Sequence, residues 1–331
     1  MKNTTGKFRL FWERAGMLVV FAALFTGCSL FVPRFFSPAN MEGLLLSVST
    51  IGIIACTMLF CLAAGAFDLS VGSVVACAGI VAALVMNATG SVVLGVLAGL
   101  ALGLLVGLVN GLLIAKAGIN ALIATLATMQ IVRGLGYIVS GGKSVGIVLD
   151  QFFLLGNTVL LKIPAGTDPV SGETVYFKII TPVLICLVCF VGFGFLIERT
   201  TYGRNTLALG GNPEAARLAG IPVDRLRIII FSMQGLMAGV AGIVLASRMT
   251  SGQPKTSEGL ELEVISACVL GGVSLNGGIG KMSYVVAGVL IMGTMSNAMN
   301  LLNVDSFYQY VARGLILLVA VAFDRLKQRR A

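Results

Sequence analysis

Apolar residues dominate this chain in long runs that short polar stretches separate. A helix that crosses a hydrocarbon core of about 30 Å needs roughly 20 predominantly apolar residues. Ten runs near this length occur, and each predicts a membrane-spanning helix. They cover residues 17–32, 44–64, 71–86, 92–115, 121–139, 179–197, 228–246, 264–275, 284–302 and 308–323. The pattern therefore predicts an all-α polytopic membrane protein, built as one domain over residues 1–331.

The composition supports a chain that lies in the membrane. Hydrophobic residues make up 57% of it and charged residues only 11%, whereas soluble proteins carry about 25% charged residues. Histidine is absent, which removes the commonest general base and transition-metal ligand. The seven cysteines lie in or beside apolar runs and follow no disulfide or zinc spacing. No metal site and no cofactor are therefore expected.

Basic residues indicate the orientation of the chain. With both termini in the cytoplasm, fifteen lysines and arginines lie inside and six outside, as the positive-inside rule requires. Residues 1–16 and 324–331 are then cytoplasmic tails, residues 140–178 a periplasmic loop, and residues 198–227 a cytoplasmic loop. The start of the chain resembles a lipoprotein signal that ends at Cys28, but the apolar run continues past that cysteine. No cleavage is predicted.

The first five spans (17–139) and the last five (179–323) resemble each other. Three matches occur in the same order: Asp68-Leu69-Ser70-Val71-Gly72-Ser73 with Glu261-Leu262-Glu263-Val264-Ile265-Ser266, Asn110 with Asn297, and Val132-Arg133-Gly134-Leu135 with Ala312-Arg313-Gly314-Leu315. Matching segments lie five spans apart, an odd number, so the two halves have opposite orientations. This is the inverted-repeat signature of transporters. A chance match among common residues is the alternative.

Polar residues inside spans, or at their entrances, are candidates for a translocation pathway. An arginine near mid-span costs about 2.5–3.5 kcal/mol on insertion scales, so Arg133 and Arg313 need a partner or a wet cavity. A structural ion pair, or snorkelling toward an interface, is the alternative role for both. The candidate pathway residues are Asp68, Ser70, Ser73, Asn110, Gln130, Arg133, Glu261, Ser266, Asn297 and Arg313.

One long hydrophilic stretch, residues 203–227, lies between two apolar runs of the second half and carries a cluster of arginines. The Asn-Pro pair predicts a turn. A short helix is expected over residues 214–219, and the glycine that follows is expected to end it. A six-residue helix is not stable alone in water, so we expect it to pack against a partner protein; a solvated loop helix is the alternative. The candidate contact residues are Asn212, Glu214, Ala215, Ala216, Arg217 and Gly220.

Glycines suggest packing rather than nucleotide binding. They recur every four residues from Gly95 to Gly111, which predicts a smooth helix stripe that a neighbouring backbone can approach closely. Two loops combine glycine with a lysine, at Lys143 and Lys281. Each has another residue where a Walker A loop requires its first glycine, so no nucleotide site is predicted.

Several segments resemble a known family. They are AFDLSVGSVVACAG (66–79), NALIATLATMQIVRGLGYIVSGG (120–142), LGGNPEAARLAGI (209–221) and GLELEVISACVLGGVSLNGGIGK (259–281). They are similar to the membrane permeases of bacterial monosaccharide ABC importers, the ribose, xylose, galactose and arabinose branch. Three segments are most similar to the arabinose members: INALIATLATMQIVRGL, ASRMTSGQP and YVARGLILL. Two departures are Ala66-Phe67, where many relatives read Gly-Gly-Ile, and a longer hydrophilic segment at 162–178.

The resemblance implies a pore subunit that works with partners by alternating access. Two copies would form the path across the inner membrane, a cytoplasmic ATPase would drive it, and a periplasmic binding protein would deliver the sugar. Residues 212–220 would form the coupling helix that contacts the ATPase. Outer basic residues would dock the binding protein, although a solvated rim is the alternative: Arg34, Lys143, Arg248 and Lys255.

The resemblance also implies a transport role rather than an enzymatic one. L-arabinose is the expected substrate, with ribose, xylose and galactose as alternatives. An ion-coupled secondary transporter is a further alternative. Contact with membrane lipid is expected, and contact with nucleic acid is not.

Overall fold

The computed structural model describes residues 2–167 and 173–328, with the side chains of 1–15, 167, 320 and 323–328 left out. The described chain is mostly helical. Its helices are α1 (Lys2–Phe31), α2 (Pro38–Ala63), α3 (Val71–Thr89), α4 (Val92–Ala115), α5 (Ala121–Ser140), α6 (Asp150–Asn157), α7 (Thr181–Arg199), α8 (Thr201–Gly211), α9 (Pro213–Leu218), α10 (Val223–Met249), α11 (Leu260–Gly271), α12 (Met282–Leu301) and α13 (Ser306–Gln328). Four short strands are β1 (Val145–Gly146), β2 (Val159–Thr167), β3 (Thr174–Ile180) and β4 (Ser251–Gly252).

Each of the ten predicted runs falls on a helix, and side chains explain several of the boundaries. Oxygens of Ser37, Ser91, Asn120 and Thr200 accept backbone N–H bonds at the starts of α2, α4, α5 and α8. Within the described residues, seven helices are long and apolar enough to cross a membrane: α2, α3, α4, α5, α7, α10 and α12. The chain is thus a multi-pass membrane protein.

Three predicted spans fall outside that set. Shorter apolar stretches lie in α1, at Gly16–Phe31, and in α13, at Ser306–Val319. The predicted run 264–275 corresponds to α11, which has only 12 residues. It ends at Gly271 because Gly272 adopts a left-handed conformation, with φ of 114°.

The expectation of an all-α chain is wrong for residues 140–178. Strands β2 and β3 pair as an antiparallel hairpin in which Lys162 lies opposite Lys178. Exposed and half-buried residues alternate along β3, which is the period of a strand with one covered face. The N–H of Lys178 donates to Glu42 Oε1 over 2.7 Å and so ties the hairpin to α2. Residues 168–172, which were assigned to the same loop, lie outside the described part of the chain.

The helices end in two groups of connections at opposite ends of the bundle. At one end, which we name the α9 end, the finish of α2 meets α8 and the loop after α11. The N–H of Gly278 there donates to the carbonyl oxygen of Ala63 over 2.9 Å. At the other, the hairpin end, Asn87 near the finish of α3 donates to the carbonyl of Gly146 over 2.7 Å. The same helices therefore run between the α9 end and the hairpin end.

The glycine stripe of α4 packs against α3 and α10, as the sequence predicted. Added Cβ atoms would meet backbone of α10: Gly235 and Gly239 from Gly103, Phe231 and Ser232 from Gly107, and Ile228 from Gly111. Glycine on α10 repeats the arrangement, because Gly235 lies against the backbone of Gly103 and Gly107. The prediction of close backbone packing is confirmed. It brings together one helix from each half of the chain.

We expect Gly107→Ala to destabilise the protein, because its methyl group would overlap the carbonyl of Phe231. Overpacking of this kind costs about 1–3 kcal/mol. Thermal unfolding in detergent should show a lower midpoint. The matched control is Gly192→Ala in α7, where nothing lies within 4 Å of the added atom. Equal midpoints for the two variants would contradict the packing described above.

Candidate functional site

The N-terminus of α11 lies inside the bundle, beside the first turn of α3. Residues 250–259 lead there from the hairpin end, since Gly252 packs against the backbone of Gly79 and Ile80. An atom added to Gly72 would then meet both the carbonyl of Ser257 and the carboxylate of Glu261. The segment therefore re-enters the bundle along α3. Two helix N-termini, each with a carboxylate near it, meet in the interior.

Asp68 forms a buried polar cluster just before α3. Its side chain, in a residue 1% exposed, accepts hydrogen bonds from the N–H and the hydroxyl of Ser70 over 2.9 and 2.6 Å. Asn110 on α4 donates to the Ser70 hydroxyl over 3.0 Å. An anionic group here is stabilised by the positive end of the α3 dipole. Three predicted pathway residues are thus brought together.

The same cluster contains acceptors that are not used. Within the described residues, Asp68 Oδ2, Asn110 Oδ1 and the hydroxyl of Ser73 are buried and make no hydrogen bond. Buried polar groups are rarely left unpaired, since each costs about 1–3 kcal/mol. The arrangement can therefore accept hydrogen bonds from a hydroxyl-bearing group or from water.

Arg133 on α5 holds the re-entrant segment. Its Nη1 donates to the carbonyls of Pro254 and Thr256 over 2.7 and 2.8 Å. The same guanidinium lies near the Glu261 carboxylate, because both are close to Gly72. The cost of an arginine within an apolar helix is offset by these partners. Arg133 joins α5, in the first half, to the entrance of α11, in the second.

Arg313 on α13 pairs with a carboxylate that the sequence reading did not single out. Its Nη1 lies 3.3 Å from Glu263 Oε2, and the hydroxyl of Ser296 on α12 donates to Glu263 Oε1 over 3.1 Å. Glu261 was chosen because it matches Asp68 in the repeat. Residues two apart face different sides of a helix, however, and the one that faces α12 and α13 is Glu263.

The remaining predicted pathway residues do not join these clusters. Asn297 on α12 exchanges two amide hydrogen bonds, of 2.9 and 2.8 Å, with Asn40 at the start of α2. The hydroxyl of Ser266 is buried and donates to the carbonyl of Leu262 on its own helix. Gln130 is exposed on α5. Asn110 and Asn297, which match in sequence, therefore lie in different environments.

The predicted short helix is present as α9, and it is supported from within the chain. Asn212 accepts the N–H groups of Glu214 and Ala215 at its start, each over 3.0 Å, and Gly220 ends the turn with φ of 82°. Ala216 is buried, whereas the other predicted contact residues are exposed: Asn212, Glu214, Ala215, Arg217 and Gly220. The preceding helix α8 was not predicted.

Asp224 on α10 fixes the outer side of α9. Its two carboxylate oxygens bind Arg217 over 3.2 Å and Lys116 over 3.1 Å. The sequence reading missed this residue, although an acidic residue within an arginine cluster was a signal of pairing. Leu218, the last residue of α9, is 90% exposed. The helix thus presents an apolar side chain among charged ones, as a contact surface does.

Three of the four predicted docking residues, Arg34, Lys143 and Arg248, lie at the hairpin end, whereas Lys255 lies on the re-entrant segment 250–259. Arg34, Lys143 and Lys255 are exposed, and Arg248 is half-buried. Lys143 precedes β1, which pairs with β4 shortly after Arg248. Arg34 lies in the connection from α1 to α2. The first three cations thus share one end of the bundle and Lys255 does not, and the docking role of all four stays a prediction.

Comparison with known proteins identifies a family for most of the chain. Residues 40–321 match the model described as "Branched-chain amino acid transport system / permease component". The chain is 61% identical to the L-arabinose transport system permease protein AraH of Escherichia coli over 97% of its own length and 93% of that protein. It is 54% identical to the L-arabinose ABC transporter permease protein AraH of Azospirillum brasilense, over 96% and 90%.

A more distant relative is named for a different sugar, ribose. The chain is 40% identical to the ribose import permease protein RbsC of Bacillus subtilis, over 90% of this chain and 88% of that protein. No solved structure matches the chain. The resemblance to sugar ABC permeases is confirmed by these relatives.

We expect Glu263 and Arg313 to be coupled in stability, because removal of one leaves the other without its ion-pair partner in a largely dry site. The Glu263→Gln and Arg313→Gln variants should each lower the free energy of unfolding. The double variant should lose less than the sum, by about 0.5–3 kcal/mol. The exposed pair Lys116 and Asp224 is the control, with a coupling of about 0–1 kcal/mol. Strict additivity at Glu263 and Arg313 would contradict the pairing.

Proposed function

We propose that this chain, which belongs to the branched-chain amino acid transport system / permease component family, imports L-arabinose across the inner membrane as the permease subunit of an ABC transporter. The observation that carries the proposal is the sequence identity of this chain, 61% and 54%, to two L-arabinose permease proteins over nearly its whole length. The likeness to ribose permeases is weaker, which makes ribose the second candidate. The subunit transports and does not catalyse a reaction.

Three partners complete the transporter in this proposal. An ATPase subunit binds at the α9 end and supplies the energy. A periplasmic binding protein delivers the sugar at the hairpin end, which carries Arg34, Lys143 and Arg248, and Lys255 lies on the segment that re-enters the bundle from that end. A second copy of the permease completes the path. The excess of basic residues over the two tails and the loop at 198–227 supports a cytoplasmic α9 end.

The packing of the helices supports two inverted repeats. If α2, α3, α4 and α5 correspond to α10, α11, α12 and α13, most of the contacts have a counterpart; the packing of α4 on α5 has no equally extensive one between α12 and α13. Helix α3 packs on α4 and α5, as α11 packs on α12 and α13. Helix α10 packs on α3 and α4, as α2 packs on α11 and α12, and α2 and α10 pack on each other. Helices α1 and α7 depart from this scheme, since α1 packs on α12 and α7 on α2.

In this proposal the pathway lies at the meeting point of α3 and α11. Transporters of this design bind their cargo where interrupted helices from the two halves meet. The buried acceptors of Asp68, Ser73 and Asn110 offer hydrogen-bond partners to sugar hydroxyls in a conformation that opens this region. A few dispersed polar groups suit a conduit, because cargo must leave as readily as it enters. Rotation of one packed half against the other would expose the site to alternate sides.

The substrate test is uptake of labelled sugars by membranes that contain permease, ATPase and binding protein. We expect ATP-dependent uptake of L-arabinose at least about tenfold above ribose, xylose and galactose. An ATPase subunit unable to hydrolyse ATP should abolish it. Uptake of ribose in place of arabinose would overturn the substrate, and uptake that persists without hydrolysis would favour an ion-coupled carrier.

A second test concerns the α9 surface. Burial of a leucine side chain contributes about 1.5–3 kcal/mol, so Leu218→Ser should weaken binding of the ATPase subunit by roughly tenfold or more. Titration of the ATPase into permease in detergent measures this. Leu302→Ser is the control, since Leu302 is also exposed but follows α12 at the hairpin end. Equal affinity for the two variants would contradict an ATPase contact at Leu218.

A further inference from the structure

Three backbone segments meet at the α9 end without a side chain between them. A Cβ atom on Gly210, at the end of α8, would overlap the carbonyl oxygen of Ala63 and lie 2.6 Å from the backbone nitrogen of Gly278. One on Gly277 would lie 2.8 Å from the Cα of Gly210 and 2.9 Å from the nitrogen of Gly65. We name Gly65, Gly210, Gly277 and Gly278 the glycine junction.

Backbone conformation and hydrogen bonding show that the glycine junction is a defined structure. Gly65, Gly277 and Gly278 have φ of 74°, 83° and 75°, values that favour glycine over every other residue. The Gly278 N–H donates to the carbonyl of Ala63 over 2.9 Å, which fixes the loop after α11 to the end of α2. Each glycine is therefore required either by its conformation or by the backbone that it contacts.

Each segment of the glycine junction leads directly to a different functional element. Gly210 precedes Asn212, which starts α9. Gly65 precedes Asp68 and the cluster at the start of α3. Gly277 belongs to the loop that follows α11, whose first turns carry Glu261 and Glu263. Short covalent connections thus join this one contact to the ATPase-facing helix and to both helices whose N-termini meet in the interior.

We propose that the glycine junction transmits movement of α8 and α9 to α3 and α11, so that Gly210, Gly277 and Gly278 act as positioning residues for transport. Side chains at a contact can change rotamer and absorb a displacement, whereas backbones in van der Waals contact cannot. A shift of α8 therefore displaces the end of α2 and the loop after α11 together. This inference rests on the proposed function, because it assumes that an ATPase moves α9.

The variant test compares two neighbouring glycines at the end of α8. Gly210→Ala would force the three backbones apart, whereas an atom added to Gly211 meets nothing within 4 Å. In the complete transporter we expect Gly210→Ala to lower sugar imported per ATP hydrolysed at least tenfold while ATP hydrolysis continues. Gly211→Ala should stay within twofold of the wild type. Equal coupling in both variants would overturn the proposal.

A second measurement uses the wild-type complex and does not depend on how well a variant folds. Hydrogen exchange of peptides that cover residues 275–281 reports the Gly278 N–H. We expect its protection to be the same with and without ATP, because the glycine junction moves as one body. Loss of protection on ATP binding would show that the contact opens, and would overturn the proposal even if Gly210→Ala fails to accumulate.

The two proposals fail in different ways. If the wild-type complex imports none of the four sugars, the proposed function is wrong, and the exchange of Gly278 still tests whether the contact is rigid. If the wild type imports sugar and Gly210→Ala imports it with the same ATP coupling, the proposed function stands and the role of the glycine junction is wrong.

Discussion

The structure depends on direct contact between helix backbones. Within a bilayer, lipid tails are as apolar as leucine side chains, so association of helices relies on close packing and on interhelical hydrogen bonds. Glycine makes that approach possible between α4 and α10 at Gly103 and Gly235. The same device joins α11 to α12, where Gly288 lies against the carbonyl of Ala267 and Gly271 against that of Tyr284. Close backbone contact thus holds α4 to α10 across the two halves of the chain, and α11 to α12 within the second half.

Close packing also decides where irregular backbone can lie. Unpaired N–H and C=O groups are costly in hydrocarbon, so a non-helical segment is tolerated only where protein surrounds it. Gly72, Gly79 and Gly252 allow residues 250–259 to lie against α3, and Arg133 supplies donors to two of the carbonyls of that segment. Burial of Arg133 is unfavourable by itself, and so is burial of unpaired backbone carbonyls. The hydrogen bonds between them offset both penalties. Each is tolerated because the other is present.

Local pattern explains what could be read from the sequence. The apolar runs, the glycine stripe of α4 and the short helix after Asn212 depend on neighbouring residues only, and all three appear in the structure. The role of Glu263 could not be read in this way, because it depends on contacts with Ser296 and Arg313, which lie on two other helices. Helical spacing separates it from Glu261 by about 200°, but nothing local shows which side faces the protein.

The β2–β3 hairpin and the pairing of Asn40 with Asn297 show the same limit. The hairpin has only two strands and carries opposed lysines, and an isolated two-stranded hairpin is marginally stable in water, so the bond to Glu42 of α2 supports its pairing. Asn40 and Asn297 are 257 residues apart. Their amides could be matched only once the fold had brought α2 and α12 side by side. Long-range pairing of this kind is a property of the assembled bundle rather than of either segment.

The attachment of α9 differs in kind from that of the glycine junction. Its ion pairs join Arg217 and Lys116 to one carboxylate, that of Asp224, and both cations are mostly exposed. Exposed pairs contribute about 0–1 kcal/mol each, so a partner can replace these contacts at little cost to the fold. Helix α8 ends differently, in the close backbone contact of Gly210 with Ala63 and Gly278, which cannot be exchanged for contacts with a partner. A partner can thus exchange the outer contacts of α9 while the inner end of α8 stays fixed to α2 and to the loop after α11.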